Sequence, residues 1–304
     1  MRIDRRTMLL APIGLALAAQ ARVPPSADGE IDLWPRGAPG APPSPPAEEL
    51  RERSTDSGYN DRILLHVRNP RLAVFLPARP NGAAVLIMPG GGYGWVVVDK
   101  EGFEMARLLA ARGITAFVLF YRLPGEGWAA GPDVALDDAQ RAMRLVRRAR
   151  GIDPSRVCAL GFSAGGHVCA SLLTRFGDAS ARPDAAALLY PVISMSAPNA
   201  HAGSRRNLIG EAAPAERERA YSPHLHIPGA APPTFLLHAE DDASVPVANS
   251  LMMRDALRAR GVATEAHFFP DGGHGFGLRL ARGKSVEHWP DLFFAWGRYR
   301  GLWT

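Results

Sequence analysis

The sequence predicts an α/β protein whose mostly parallel central sheet carries helices on both faces. Short, unbroken apolar runs recur between residues 63 and 269, as strands buried on both sides require. Longer amphipathic stretches alternate with them, and alternation of strand and helix is the pattern of a parallel sheet. Composition agrees: 304 residues, 47% apolar and 21% charged, supply one large core. Thirty-one glycines and 27 prolines exclude a helical bundle or coiled coil, and they show no collagen or solenoid period.

Residues 1–21 have a basic start, an apolar run over 8–19 and the small-x-small ending Ala19-Gln20-Ala21. That layout predicts a cleaved export signal, and so a periplasmic or secreted protein. The run is shorter than the roughly 20 residues a bilayer crossing takes, so no stable membrane anchor is expected. Arg5-Arg6 ahead of Met8-Leu9-Leu10 fits a twin-arginine signal, with the general secretory route as the alternative. Eight prolines between Val23 and Pro46 predict an extended arm or linker over 22–46. Within it, Ile31-Asp32-Leu33-Trp34-Pro35 is apolar enough to dock on a domain.

Residues 47–304 read as the α/β domain. Strands are predicted at 63–67, 72–76, 84–88, 115–120, 157–160, 186–190, 235–238 and 264–269, and helices at 101–111, 133–150, 164–175, 247–260 and 286–299. The second helix is the clearest. Pro132 suits its first turn, Asp133, Asp137 and Asp138 complement the positive end of its dipole, and Ala135, Ala139, Ala142, Val146 and Ala149 form one apolar stripe. Residues 192–233, polar and rich in Pro, Ser and His, break the rhythm. They predict an excursion over the ligand-binding edge, which in such sheets lies beyond the carboxyl ends of the strands.

Thirty-five basic and 30 acidic residues are interspersed along the chain. The net charge of +5 falls to +3 once Arg2, Asp4, Arg5 and Arg6 leave with the leader, which describes a solvated surface rather than a nucleic-acid partner. Cys158, in a strand, and Cys169, on the following helix, read as small core hydrophobes. No CxxC or Cys/His spacing suggests zinc, and no metal or organic cofactor is expected.

Gly161-Phe162-Ser163-Ala164-Gly165-Gly166 is the strongest chemical signal. It follows an apolar strand and opens a helix, the context a G-x-S-x-G nucleophile elbow requires. Glycines on either side permit a tight turn that presents the Ser163 hydroxyl beside a helix N-terminus. A serine needs a base to take its proton and a carboxylate to orient that base, in the chain order Ser, acid, His for this kind of sheet.

Glu240-Asp241-Asp242 follows the strand at 235–238, where the acid belongs. Spacing to Val245-Pro246 favours Asp242, with Asp241 as its competitor. His274, in Gly272-Gly273-His274-Gly275-Phe276 beyond the last strand, is the candidate base. His167, His238 and His288 fall on elements and read as structural, whereas His201, His224 and His226 lie in the excursion, open to substrate contact or surface placement. Acyl transfer also needs donors for an oxyanion. The Ala164 N–H is one candidate, and Gly91 or Gly92, in the glycine turn after the strand at 84–88, supplies the other.

Together these residues resemble the α/β-hydrolase superfamily over residues 31–303. Leu33-Trp34-Pro35, Pro89-Gly90-Gly91-Gly92-Tyr93, Phe120-Tyr121-Arg122-Leu123, Gly161-Phe162-Ser163-Ala164-Gly165-Gly166-His167, Pro233-Thr234-Phe235-Leu236, Val245-Pro246 and Gly273-His274-Gly275-Phe276 resemble its bacterial acetyl xylan esterase-like branch. Pro89 stands where many lipase-like relatives carry His, which matches that branch. The resemblance implies an α/β-hydrolase fold and a serine esterase that removes acetyl groups from O-acetylated carbohydrates, a small-molecule or oligosaccharide ester being its partner. A peptidase or lactone hydrolase on the same three residues is the nearest rival, and a noncatalytic binding protein on the same scaffold is the rival of another class. Tyr93, Trp95, Trp128 and Tyr221 are aromatics open either to sugar stacking or to packing.

Overall fold

The structure, a computed structural model, describes residues 27–303. The export signal read from residues 1–21 and the start of the proline-rich arm lie outside them. In chain order the strands are β1 (Gly29–Asp32), β2 (Glu49–Glu52), β3 (Arg62–Leu65), β4 (Arg71–Phe75), β5 (Ala84–Met88), β6 (Val96–Val97), β7 (Thr115–Phe120), β8 (Val157–Phe162), β9 (Ala185–Leu189), β10 (Thr234–Ala239) and β11 (Thr264–Phe269). The helices are α1 (Glu104–Ala111), α2 (Val134–Arg147), α3 (Ser163–Thr174), α4 (Ala202–Ile209), α5 (Ala215–Ala220), α6 (Ala248–Ala259) and α7 (Trp289–Tyr299).

Eight strands form the main sheet in the order β1-β4-β7-β5-β8-β9-β10-β11. Pairing is parallel from β7 to β11, and β1 and β4 close the other edge antiparallel. Every residue of β5, β7, β8, β9 and β10 is buried, as unbroken apolar runs under two helical layers demand, whereas β11, on the edge, is half-buried throughout. β2, β3 and β6 make a small separate antiparallel sheet. Among the described residues no helix is long and apolar enough to cross a membrane.

The proline-rich stretch is joined to the domain more closely than a linker. β1 pairs along β4, Leu33 is fully buried, and the Trp34 indole N–H donates to Asp138 Oδ1 at 2.8 Å. Asp138 also takes two guanidinium nitrogens of Arg122, and both side chains of this pair are wholly buried. Arg122 in turn donates to Pro39 O, and Arg141 to Leu33 O. Asp138, which the helix-dipole reading places at a helix start, is thus the anchor that joins the arm to the sheet. The two α-helices of the excursion, α4 and α5, escape the periodicity reading because Ala-Gly-Ser-Arg-Arg-Asn-Leu-Ile and Ala-Glu-Arg-Glu-Arg-Ala have almost no apolar stripe.

Candidate active site

β8 ends at Phe162 and α3 begins at Ser163 with no loop between them, so the corner falls on the serine, whose φ is +52°. That left-handed geometry is costly for a residue with a Cβ and presents its side chain above the sheet. The flanking glycines are sterically required: a Cβ on Gly161 would overlap the Gly165 carbonyl, one on Gly165 would overlap the Met88 carbonyl, and one on Gly166 would meet Pro191.

Ser163 Oγ lies 2.8 Å from His274 Nε2, and His274 Nδ1 lies 2.7 Å from Asp242 Oδ2. A carboxylate only accepts, so Nδ1 carries the ring proton and Nε2 is free to accept from the serine hydroxyl. Asp242 Oδ1 accepts the N–H groups of Ser244 and Val245, both at 2.9 Å. Its side chain is fully buried, while that of His274 keeps 24% of its exposure, so the relay opens to solvent at the imidazole. Burial disfavours the Asp242 charge, but the hydrogen bonds from His238 and His274 outweigh it and hold the carboxyl well below its usual range.

Three supporting contacts have no signature in the sequence. Asp241, the competitor for the acid, instead accepts the Gly273 N–H at 2.7 Å and so holds the loop that carries His274. His238, buried in β10, sets its Nε2 3.2 Å from Asp242 Oδ2 and 3.0 Å from the Val245 carbonyl. Both are acceptors, so Nε2 is protonated, and Nδ1 faces the Ser250 hydroxyl at 2.8 Å. Glu101, from the wide turn Asp99–Phe103, accepts the Gly90 N–H at 2.8 Å behind the glycine turn.

That turn runs through consecutive left-handed positions, Gly91 at φ +131°, Gly92 at +61° and Tyr93 at +61°. A Cβ on Gly91 would overlap the Trp95 carbonyl, whereas Gly92 is required by its φ rather than by space. Tyr121 donates to Pro89 O, Asn207 of α4 donates to Gly92 O at 2.9 Å, and the Tyr93 hydroxyl lies 2.6 Å from His167 Nδ1. The N–H groups of Gly91 and Gly92 have no hydrogen-bond acceptor among the described residues. With the Ala164 N–H in the first turn of α3, they are the donors available to a developing oxyanion.

His167 Nε2 donates to the Tyr221 carbonyl, and burial lowers this imidazole's pKa to about 4, so it stays neutral. His201 is the one excursion histidine close to the glycine turn. A Cβ on Gly92 would lie 3.7 Å from its Cε1. Its Nδ1 accepts the Ser204 N–H at the start of α4, which leaves Nε2–H unpartnered among the described residues. Burial, then the neighbouring His274, depress its pKa. His226 bonds to Arg219 O and His288 is solvent-exposed. Of the four aromatics, Tyr93 and Trp128 are buried and Tyr221 bonds to Asp133, which leaves Trp95 beside Gly91 at 37% exposure. Cys158 and Cys169 are buried free thiols whose pKa values burial raises.

Residues 125–296 match the prolyl oligopeptidase family. The acetylxylan esterase of Xylanibacter ruminicola is 32% identical over 220 residues, 68% of this chain and 44% of that protein. Endo-1,4-beta-xylanase B of Butyrivibrio fibrisolvens is 35% identical over 219 residues, 67% of this chain and 34% of that one. The chain therefore spans less than half the length of these two relatives. Among solved structures, an acetyl ester-xyloside bifunctional hydrolase from Caldicellulosiruptor lactoaceticus superposes with a TM-score of 0.70 at 36% identity, over 78% of this chain and 90% of that one. By sequence match, sheet order and nucleophile corner, the chain belongs to the prolyl oligopeptidase family and has the α/β-hydrolase fold.

Proposed function

We propose that this protein is a serine carboxylic-ester hydrolase that removes small acyl groups, acetyl foremost, from O-acetylated carbohydrates such as xylan oligosaccharides. The observation that carries the reading is the unbroken relay from Ser163 Oγ through His274 to the buried Asp242, facing backbone donors that have no partner of their own. In this reading His274 Nε2 takes the Ser163 proton as Oγ attacks the ester carbonyl. The Ala164 N–H and that of Gly91 or Gly92 hold the oxyanion. His274 then passes its proton to the leaving alcohol, and water, deprotonated by the same imidazole, attacks the acyl-serine to release the acid and restore Oγ–H. Asp242 keeps the ring in the tautomer with Nδ1–H. The acetyl preference is supported by the relatives named for acetylxylan and acetyl ester substrates.

The deciding comparison is acetate release from acetylated xylooligosaccharides against hydrolysis of nitrophenyl esters of increasing acyl length. We expect acetyl esters to be preferred and Ser163→Ala to lose at least about 10⁴-fold in kcat. Full activity in the alanine variant would remove Ser163 from the mechanism. A strong preference for butyryl or longer chains, or for peptide bonds, would overturn the carbohydrate reading. We also infer that the chain is exported. Mass spectrometry of the mature protein is expected to find it beginning near Arg22, and an intact Met1 would contradict cleavage.

A further inference from the structure

The two loops that would carry the chemistry come from distant strands. The glycine turn follows β5 and the His274 loop follows β11, with β8, β9 and β10 between them in the sheet, so no backbone ladder sets one against the other. Side chains bridge the gap. Glu101, 3% exposed, accepts the Gly90 N–H on Oε2 at 2.8 Å and the Tyr190 hydroxyl on Oε1 at 3.0 Å. The Tyr190 oxygen accepts the Gly277 N–H at 3.2 Å, and the Trp289 indole donates to Gly277 O at 2.8 Å. The Tyr190 ring stands edge-on to the His274 ring with centroids 5.2 Å apart.

The bridge fits closely at the Gly90 end and makes ordinary contact at the Gly275 end. A Cβ on Gly90 would come within 2.7 Å of Glu101 Oε2 and 2.9 Å of Ser163 Cβ, and one on Gly275 within 3.6 Å of Glu101 Oε1. Tyr190 holds a left-handed φ of +38° to reach this position, and burial raises its phenol well above the ordinary value, so it remains a donor. Glu101 has no cation within 4 Å among the described residues, whereas its neighbour Asp99 is committed to Arg62. Its two oxygens serve neutral donors, the Gly90 N–H of the glycine turn and the hydroxyl of Tyr190, which follows β9 and meets the His274 loop at Gly277. An apolar side chain of the same length would leave a buried N–H and a buried hydroxyl without partners.

We propose that Glu101 is a positioning residue that, through Tyr190, sets the oxyanion turn and the His274 loop at a fixed separation around Ser163. The proposal rests on reading Ser163 and His274 as the reacting pair, and its test reports on them without an ester substrate. The rate at which a fluorophosphonate labels Ser163 would be measured beside kcat and KM for an acetate ester, all per folded molecule. Glu101→Met removes both acceptors, Glu101→Gln keeps an acceptor for Gly90, and Tyr190→Phe cuts only the histidine side.

Misplacement on the scale of an ångström costs about 100-fold. We therefore expect Glu101→Met to lose about 100-fold in labelling and in kcat with KM within threefold, Glu101→Gln to recover part of that, and Tyr190→Phe to lose about tenfold. Tyr190→Phe should add nothing in the Glu101→Met background, because the link is already broken. Rates within threefold of wild type in Glu101→Met, whatever its melting temperature, would overturn the proposal, as would multiplicative losses in the double variant. If Glu101→Met does not fold, wild-type rates in both Glu101→Gln and Tyr190→Phe would overturn it equally. Undiminished labelling of Ser163→Ala would instead sink the nucleophile reading.

Discussion

At Asp242 two imidazoles and two backbone N–H groups converge on one buried carboxylate. The neighbouring Asp241 is tied to Gly273 instead, and this difference separates two adjacent acids that sequence spacing alone only ranks. Asp242→Asn should keep the fold and lower kcat about 10⁴-fold, since an amide no longer selects the Nδ1–H tautomer of His274. Asp241→Asn should cost kcat less than about tenfold. Steady-state kinetics on both variants checks this, and a larger loss at Asp241 would exchange their roles. The G-x-S-x-G elbow, the Val-Pro spacing and the glycine-rich loop after the last strand, taken in chain order, point to Ser163, Asp242 and His274, and the structure brings their side chains together. Glu101, His238 and Asp241 were not legible. Glu101 and Asp241 work by accepting a backbone N–H, and His238 by meeting Asp242, the Val245 carbonyl and Ser250 beyond its strand; such contacts leave no periodicity in the chain.

At the scale of elements, the eight short apolar runs fall within two residues of strands at either end, seven of them in the main sheet and 63–67 in the small one, because burial on both faces leaves most of them few polar positions. β2 is charged and exposed, β6 is two residues long, and β1 is hidden among prolines, so none of them carries that signal. The docking of the arm shows how Leu33-Trp34-Pro35 and Tyr121-Arg122-Leu123, almost 90 residues apart, form one motif: Trp34 and Arg122 share Asp138. Asp138→Asn removes the carboxylate charge paired with a fully buried guanidinium. Breaking a buried pair costs about 3–5 kcal/mol, and urea unfolding should register a loss near that size. Trp34→Phe removes one hydrogen bond to the same carboxylate and should cost about 1–2 kcal/mol. Equal and negligible losses for both would mean that the arm rests on the sheet without contributing to its stability.

For the whole molecule, buried groups predict how stability answers to acid. His167 has a folded pKa of about 4 against an ordinary 6.5, so the unfolded chain takes up its proton first as pH falls. Stability is complete above pH 6.5 and declines as pH drops towards 4, by on the order of 3 kcal/mol at full development. Asp242, whose pKa is depressed, adds its loss only further down, below the usual carboxylate range of about 4. Urea midpoints between pH 7 and 4.5 should therefore fall, and His167→Gln should flatten the fall, whereas an unchanged slope would assign it to other groups.

The excursion also bears on how this protein can change. Asn207 holds the Gly92 carbonyl, and Tyr93 is tied through His167 to the Tyr221 carbonyl, so residues 192–233 help to set the pose of the glycine turn. Grafting that segment from a relative would carry a new substrate preference only together with residues 89–95 and His167, and a graft of the segment alone should slow turnover on every ester alike. In the proposed site these contacts would couple selectivity to rate, and we expect the two to drift as a unit.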